Sequence, residues 1–252
     1  MGAVTMLTAW EMLSPDELRA RLQAVGEAKY HHRHPFHERM HRGELTRGQL
    51  QAWALNRYYY QSRIPIKDAL VLAKSDDPAF RRAWRKRIVD HDGDESGYGG
   101  VEKWIQLAEA AGVPRHDTIA YKGVLPAVIV AVDAYLALVR DSSLLVAVAS
   151  SLTELFSRQL ISLRMDRMKL HYPYLEPGLA YFVGRLTQAP EDAAFALDYV
   201  TKHARNREEQ EQVIRALERK CEILWAQLDA IEHAYVVPGL PPPGCFLPKG
   251  EA

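Results

Sequence analysis

Cysteine is nearly missing from this sequence, which has only Cys221 and Cys245 among its 252 residues. Two cysteines cannot build the disulfide framework of a small secreted domain, and their scarcity is typical of a reducing compartment. An excess of one charge is missing as well, because 32 Lys and Arg residues balance 32 Asp and Glu residues. The composition therefore gives no bulk electrostatic reason to expect nucleic acid or an anionic membrane as a partner.

The sequence also lacks a long apolar run. Its most apolar window, residues 124–139, is too short to span a bilayer and contains Asp133. Residues 1–17 have no basic segment followed by an apolar run, so no signal peptide is predicted. With 48% hydrophobic and 25% charged residues, the chain has ample material for a core. We expect a cytoplasmic protein without a membrane segment.

Helix signals recur along the whole chain, whereas no stretch alternates apolar and polar residues as a strand does. Capping residues open helices at Ser14, Thr46 and Asn206, and the segment DDPAF, residues 76–80, sets a further cap before its proline. The helix that begins after Asn206 is predicted to run to about Tyr235. Further helices are predicted over residues 101–112, 118–139, 142–168, 178–188 and 190–204. The sequence predicts one all-α domain over residues 1–236 and an irregular, loose Pro- and Gly-rich tail over residues 237–252.

Half of the ten histidines lie in the segment YHHRHPFHERMH, residues 30–41. On a helix, His34, His37 and His41 would share one face. Glu38 and His41 form one E-x-x-H pair, but a di-iron carboxylate bundle needs a second such pair and two further carboxylates. No second E-x-x-H occurs in the chain. The pattern therefore disfavours a metal site, and some of these histidines are expected to be solvated.

Positive side chains interrupt the apolar faces of five predicted helices. They are Arg57, Arg87, Arg164, Arg185 and Lys220. Burying an unpaired charge costs on the order of several kcal/mol, so each of them needs a partner. One interpretation is a set of internal salt bridges in which Glu154 and Asp133 neutralise some of the cations. The other is a pocket for a ligand with several carboxylates, because the arginine fork matches carboxylate geometry.

Two motifs invite other readings. Cys221 could be a nucleophile, but it lies beside Lys220 in a periodic helix, which favours a small buried hydrophobic residue. The segment DGDESGYGG, residues 92–100, has neither a preceding strand nor a GK[ST] ending. It is predicted to be a loop after a helix and not a phosphate-binding loop.

Five long segments carry a resemblance to a known family. They are KYHHRHPFH (29–37), WALNRYYYQSRIPIKDA (53–69), RIVDHDGD (87–94), SSLTELF (150–156) and KCEILWAQLDA (220–230). In order and with near-constant spacing from about residue 12 to about residue 236, the chain resembles the pyrroloquinoline quinone synthase C (PqqC) family. The resemblance implies a seven-helix, haem-oxygenase-like (TenA/PqqC-type) bundle that binds no haem, and a homodimer.

The resemblance also implies a reaction. The family closes a ring in an open quinone precursor that bears several carboxylates, and oxidises it by eight electrons with O2 to pyrroloquinoline quinone (PQQ), releasing hydrogen peroxide. Neither a metal nor a redox cofactor is expected, since the substrate itself carries the electrons.

The site residues that the resemblance implies fall into two groups. The proton-handling and oxygen-site residues are His31, His91, Tyr181 and Arg185. The substrate-binding residues are Tyr30, Arg57, Gln61, Lys67, Arg87, Tyr135, Glu154, Arg164 and Lys220. Our hypothesis is that the cations hold the carboxylates and that His31, rather than the His34, His37 and His41 face, moves protons together with His91.

The chain departs from the family pattern at two positions after SLTELF. Ile161 replaces a histidine and Arg158 replaces a proline. An isoleucine can neither donate nor accept a proton, so any role of that histidine is absent here or is taken by another group.

Alternatives from other classes stay open. On the same scaffold, the protein could be a metal-dependent oxygenase or a thiaminase. A PQQ carrier, or a partial enzyme that closes the ring without full oxidation, is favoured slightly by Ile161. A purely structural or protein-interaction role would leave the five cations unexplained.

Overall fold

The computed structural model describes residues 11–248, and these residues form a helical bundle without a β-strand. The α-helices are α1 (Pro15–Lys29), α2 (Pro35–Arg42), α3 (Arg47–Leu72), α4 (Pro78–Asp92), α5 (Gly100–Ala111), α6 (Arg115–Ile119), α7 (Pro126–Asp141), α8 (Leu144–Ala149), α9 (Ser157–His171), α10 (Ala180–His203) and α11 (Arg207–Tyr235). Short 3-10 helices span His31–Arg33, Leu152–Phe156 and Pro173–Gly178. The all-α prediction is confirmed. The described residues hold eleven α-helices instead of seven, because several of them are only one or two turns long.

Local sequence sets most helix starts. The hydroxyl of Ser14 accepts a hydrogen bond from the backbone N–H of Glu17, and the Glu17 carboxylate accepts one from the N–H of Ser14. Thr46 caps α3 in the same way. At the start of α4 the capping residue is Asp77, directly before Pro78 and within the predicted segment 76–80. Each cap satisfies N–H groups that the first helical turn leaves without a partner.

Three predicted helix boundaries are wrong. The predicted helix over 118–139 is interrupted after Ile119, and α7 begins only at Pro126. The predicted helix over 142–168 is divided by the 3-10 helix Leu152–Phe156. Conversely, α10 runs continuously through Pro190, where the sequence predicted a break. Here α10 packs against α8, α9 and the 3-10 helix Leu152–Phe156, and this tertiary packing outweighs local propensity.

Helices α3 and α11 are the longest and organise the core. Helix α3 packs against α4, α5 and α7, and α11 packs against α7, α1 and α8. The largest fully buried side chains include Trp53, Trp84 and Trp104. Because α3 lies at the centre of these contacts, its polar side chains face the interior and need partners there.

The described part of the tail, residues 237–248, contains no helix, and it contacts the bundle. The backbone N–H of Phe246 donates to the carbonyl of Gly123 at 2.8 Å. Gly123 has a positive φ of 76°, and a Cβ there would lie 2.4 Å from the backbone nitrogen of Phe246. Glycine is therefore required for this close approach.

The stretch Leu144–His171 is long and apolar enough by composition to cross a membrane, and 56% of its most apolar window is buried in the protein. This burial is typical of a core segment.

Candidate functional site

A cavity of about 90 Å³ lies inside the bundle, between α3, α9 and α10. Nine of the thirteen predicted site residues line it: Tyr30, His31, Arg57, Gln61, His91, Glu154, Arg164, Tyr181 and Arg185. Tyr30 and Arg185, which are 155 positions apart in the sequence, thus line the same cavity. We call this space the inner cavity.

The other four predicted residues, Lys67, Arg87, Tyr135 and Lys220, lie behind the wall of the inner cavity. Arg87 reaches the cavity through the carboxylate of Glu154, to which its Nη1 donates at 3.0 Å. The ammonium of Lys220 donates to the hydroxyl of Tyr60, which itself lines the cavity.

Two of the cations belong to a closed network with two carboxylates. Glu154 accepts from Arg87 at 3.0 Å and from Arg185 at 3.1 Å. Asp192 pairs with the same two arginines, at 3.4 Å from Nε of Arg87 and 3.3 Å from Nη1 of Arg185. Internal salt bridges therefore account for these two arginines. The second carboxylate is Asp192, which the sequence did not predict, and not Asp133, which accepts from the Tyr59 hydroxyl.

The network shifts the pKa values of its members in opposite directions. Burial alone would raise the pKa of Glu154, but Arg87 and Arg185 outweigh it, and this pKa lies below its usual value. Burial raises the pKa of Asp192 to about 6, and the neighbouring Glu154 charge adds to this rise. Glu154 is therefore the carboxylate that stays ionised next to the cavity.

Lys67 is neutralised locally. Its Nζ lies 2.5 Å from Oδ1 of Asp68 and also contacts the hydroxyl of Ser151 at 3.3 Å.

Three other cations, Arg57, Arg164 and Lys220, form no ion pair with a carboxylate of the described residues. Nη2 of Arg164 donates to the imidazole of His37 at 2.9 Å, and burial lowers the pKa of Arg164 to about 10. The Nζ of Lys220 lies 3.1 Å from the ring centroid of Tyr135, and burial lowers its pKa far below the usual value. The guanidinium of Arg57 lies 4.0 Å over the ring of Tyr60. Arg164 and Lys220 are buried and Arg57 is half-buried. Cations without counter-ions in such surroundings fit an anionic ligand.

The hydrogen bond of His91 fixes its tautomer. Its Nδ1 lies 2.9 Å from the backbone carbonyl of Arg87, and a carbonyl can only accept. Nδ1 therefore carries the proton, and Nε2 keeps its lone pair. Burial lowers the pKa of His91 to about 4, so the ring is neutral near pH 7. His91 thus offers a proton acceptor.

His31 has the opposite tautomer because of His37. Nδ1 of His37 lies 2.9 Å from the backbone carbonyl of His31 and 3.3 Å from Nδ1 of the same residue. The carbonyl requires His37 to donate from Nδ1, and its Nε2 accepts from Arg164. Two N–H groups would repel each other, so Nδ1 of His31 is unprotonated. Its proton lies on Nε2, where His31 offers a donor.

His37 was excluded from proton chemistry in the sequence hypothesis, and the structure couples it directly to His31. His34 has a structural role: it caps α2 by accepting from the N–H of Phe36, and its Nε2 lies 3.0 Å from Asp229.

None of the five histidines of this segment is exposed, although solvated ones were expected; His32 and His41 are half-buried. No group of three or more His, Cys, Asp or Glu side chains within residues 11–248 is arranged to hold a metal ion.

Tyr181 and Arg185 lie one turn apart on α10 and both face the inner cavity. The Tyr181 hydroxyl donates to Oε1 of Gln61 at 2.9 Å, and burial raises its pKa. A Cβ at Gly100 would lie 3.3 Å from the His91 ring and 3.4 Å from the Tyr181 ring. The glycine-rich segment is a loop over residues 93–99, as predicted. Gly100 at its end packs closely against one side of the site.

Sequence reasoning missed several apolar and hydroxyl-bearing residues of the cavity wall. They are Tyr60, Ile64, Trp104, Thr153, Ser157, Leu160, Phe182 and Leu224. Ile161, the departure from the family pattern, also lines the cavity and is 8% exposed. Cys221 is fully buried, and burial raises its pKa to about 12, which makes it a poor nucleophile and agrees with the predicted packing role.

The fold is shared with solved structures of low sequence identity. A domain with a haem-oxygenase-like fold from Shewanella denitrificans is similar with a TM-score of 0.70 at 12% identity, covering 92% of this chain and 96% of its own. A TenA homologue from Pseudomonas syringae pv. tomato has the same TM-score and identity, covering 92% and 98%. The protein is thus a helical bundle of the haem-oxygenase-like class.

Sequence comparison identifies the family within this class. The TENA/THI-4/PQQC family model matches residues 19–230. A pyrroloquinoline-quinone synthase of Acidiphilium cryptum is 57% identical over 93% of this chain and 96% of its own length. One of Gluconobacter oxydans is 53% identical over 94% and 99%. The chain belongs to the TENA/THI-4/PQQC family and is an enzyme.

Proposed function

We propose that this enzyme acts in PQQ biosynthesis and catalyses its final step. The step closes a ring in a quinone precursor that bears several carboxylates and removes eight electrons from it, with O2 as the acceptor. Each O2 that leaves as hydrogen peroxide takes two electrons and two protons, so every oxidation must be accompanied by proton removal from the ring system. The identity to relatives named pyrroloquinoline-quinone synthase supports the proposal.

The observation that carries the proposal is that two of the buried arginines form ion pairs with carboxylates of the described residues, whereas Arg57, Arg164 and Lys220 do not. Arg87 and Arg185 are neutralised by Glu154 and Asp192 in the folded protein. Arg57 and Arg164 line the inner cavity without a carboxylate partner among the described residues and are left for the ligand, and Lys220 lies behind the wall against Tyr60. Unpaired guanidinium groups at one cavity match a planar molecule with several carboxylates and disfavour a neutral substrate.

The two histidines divide the proton chemistry. The unprotonated Nε2 of His91 accepts a proton from a ring carbon or nitrogen, and the protonated Nε2 of His31 donates to a substrate oxygen. Environments that give two titratable groups opposite roles are a signature of acid–base catalysis.

On the oxygen side, Arg185 donates a hydrogen bond to the anionic form of reduced O2 before its second proton arrives, and the Tyr181 hydroxyl joins it by turning away from Gln61. Arg185 is held in place for this by its two carboxylate partners. The proposal needs no metal or redox cofactor, and it includes a homodimer in the cytoplasm.

Ile161 favours a second candidate function. Its side chain occupies the wall of the inner cavity and cannot transfer protons. A carrier or a partial enzyme would bind PQQ or the ring-closed intermediate without completing the oxidation.

The deciding experiment is an incubation of metal-stripped protein with the ring-open precursor in air. We expect the absorption spectrum of PQQ together with hydrogen peroxide. Accumulation of a ring-closed, reduced species would support the partial enzyme, and Ile161→His should then restore oxidation. A bound but unchanged precursor would support the carrier.

A further inference from the structure

The inner cavity is smaller than the ligand that its chemistry fits. Protein sites for ligands of this size usually enclose about 300–1,000 Å³, whereas the inner cavity encloses about 90 Å³. A tricyclic polycarboxylate can therefore enter only if a neighbouring space opens towards it.

One neighbouring space shares a wall with the inner cavity. A second cavity of about 440 Å³, here called the outer cavity, lies between α1, the 3-10 helix His31–Arg33 and the start of α9. Tyr30 and Leu160 line both cavities, so these two side chains form the partition between them.

The floor of the outer cavity is apolar. Phe156 lies against α1 at Gly26, where an added Cβ would be 2.1 Å from the tip of its ring. Its ring centroid is 5.5 Å from that of Tyr30. Leu155, Leu160 and Leu163 complete this surface. Aromatic and leucine side chains in this arrangement suit a planar aromatic ligand.

The rim of the outer cavity carries two arginines on opposite sides. Arg33 comes from the 3-10 helix and Arg158 from the first turn of α9, and both are exposed. Neither forms an ion pair with another described residue. The other titratable groups of the lining are Tyr30, His32 and Glu27, and the two arginine charges face the single carboxylate of Glu27.

We infer that the outer cavity is a capture site for the polycarboxylate ligand of this enzyme, from which the ligand passes between Tyr30 and Leu160 into the inner cavity. Arg33 and Arg158 attract its carboxylates, and Phe156 and Tyr30 receive its ring system. Arg57 and Arg164, which line the inner cavity, then bind the same carboxylates inside. The inference rests on the proposed function, because it takes its ligand from it.

The test measures how fast PQQ binds, by stopped-flow quenching of tryptophan fluorescence, in wild type and in the double variant Arg33→Gln, Arg158→Gln. The matched control is Arg82→Gln, Arg85→Gln, which removes two exposed charges from α4 at a different cleft. We expect the association rate constant of the rim variant to fall about fivefold to tenfold at low salt, with a weaker salt dependence, while that of the control changes less than about twofold.

Each result decides between the two proposals. Equal association rates in the rim variant and the control would overturn the capture site and leave the proposed function intact. Absence of PQQ binding to the wild-type protein would overturn the proposed function, and the capture site with it. A fall in affinity through a faster dissociation rate alone would place both arginines in the final complex and overturn their role in capture.

Discussion

His37 donates from Nδ1 to the backbone carbonyl of His31 at 2.9 Å, although His37 itself does not line the inner cavity. This contact, and the acceptance of a hydrogen bond from Arg164 by Nε2, leave His37 one possible neutral tautomer. The tautomer of His31 follows from it, so a residue outside the cavity determines which nitrogen of His31 can donate inside.

The tautomers can be measured directly. In the wild-type protein, nitrogen-15 NMR should show the proton of His31 on Nε2 and that of His91 on Nδ1. Replacing His37 by Phe fills a similar volume but removes the N–H, so His31 should populate both tautomers and PQQ formation should slow about tenfold.

His41→Phe is the matched control for that variant. His41 lies one turn further along α2, and its Nε2 is buried without a hydrogen-bond partner among the described residues. We expect PQQ formation to change less than about twofold. If both variants slowed the reaction equally, packing of α2 and not the tautomer of His31 would explain the loss.

His91→Asn should separate binding from catalysis. Asparagine keeps a polar group near the Arg87 carbonyl but provides no basic nitrogen to the cavity. We expect the affinity for PQQ to stay within about threefold of wild type and the oxidation rate to fall about 100-fold or more. Single-turnover mixing with the precursor measures both quantities, and oxidation at the wild-type rate would refute the assignment of His91.

Removal of an unpaired arginine and removal of a paired arginine should change the free energy of unfolding in opposite directions. Arg164→Met removes a buried charge that has no carboxylate partner, so the free energy of unfolding should rise by about 1 kcal/mol while PQQ binding weakens. Arg87→Met leaves Glu154 and Asp192 short of a cation and should lower the free energy of unfolding by about 3–5 kcal/mol. Urea denaturation of both variants without ligand measures the contrast. A lower free energy of unfolding in Arg164→Met would mean that this arginine stabilises the folded protein.

The pKa of His91 predicts a pH dependence of stability. Its value in the folded protein is about 4, below the ordinary 6.5. Between these pH values the unfolded chain binds a proton that the folded protein does not bind. The contribution of His91 to the free energy of unfolding is therefore complete above pH 6.5. As the pH falls from 6.5 towards 4, protonation of the unfolded chain lowers the free energy of unfolding by about 1.4 kcal/mol per pH unit. Urea denaturation at pH 7, 6 and 5 should show a shallower decline for His91→Asn, and identical slopes would contradict the assignment.

The local sequence predicted the helical class and most helix starts, because capping boxes, prolines at first turns and three- and four-residue apolar spacing act within a few residues. It also predicted that charged side chains would lie on buried faces. Helix periodicity shows which way Arg57 or Arg164 points, and this needs no knowledge of the partner helix.

The sequence predicted Glu154 as one partner of these charges, and tertiary structure decided the others. Asp192 neutralises Arg87 and Arg185 only because α10 continues through Pro190, a continuity that comes from packing and not from local propensity. His37 reaches His31 because a 3-10 turn, which spacing on a regular helix did not anticipate, brings the two rings together. The sequence alone determined the face of the helix on which each side chain lies. Contacts between side chains of distant helices depended on how the whole bundle buries its apolar faces.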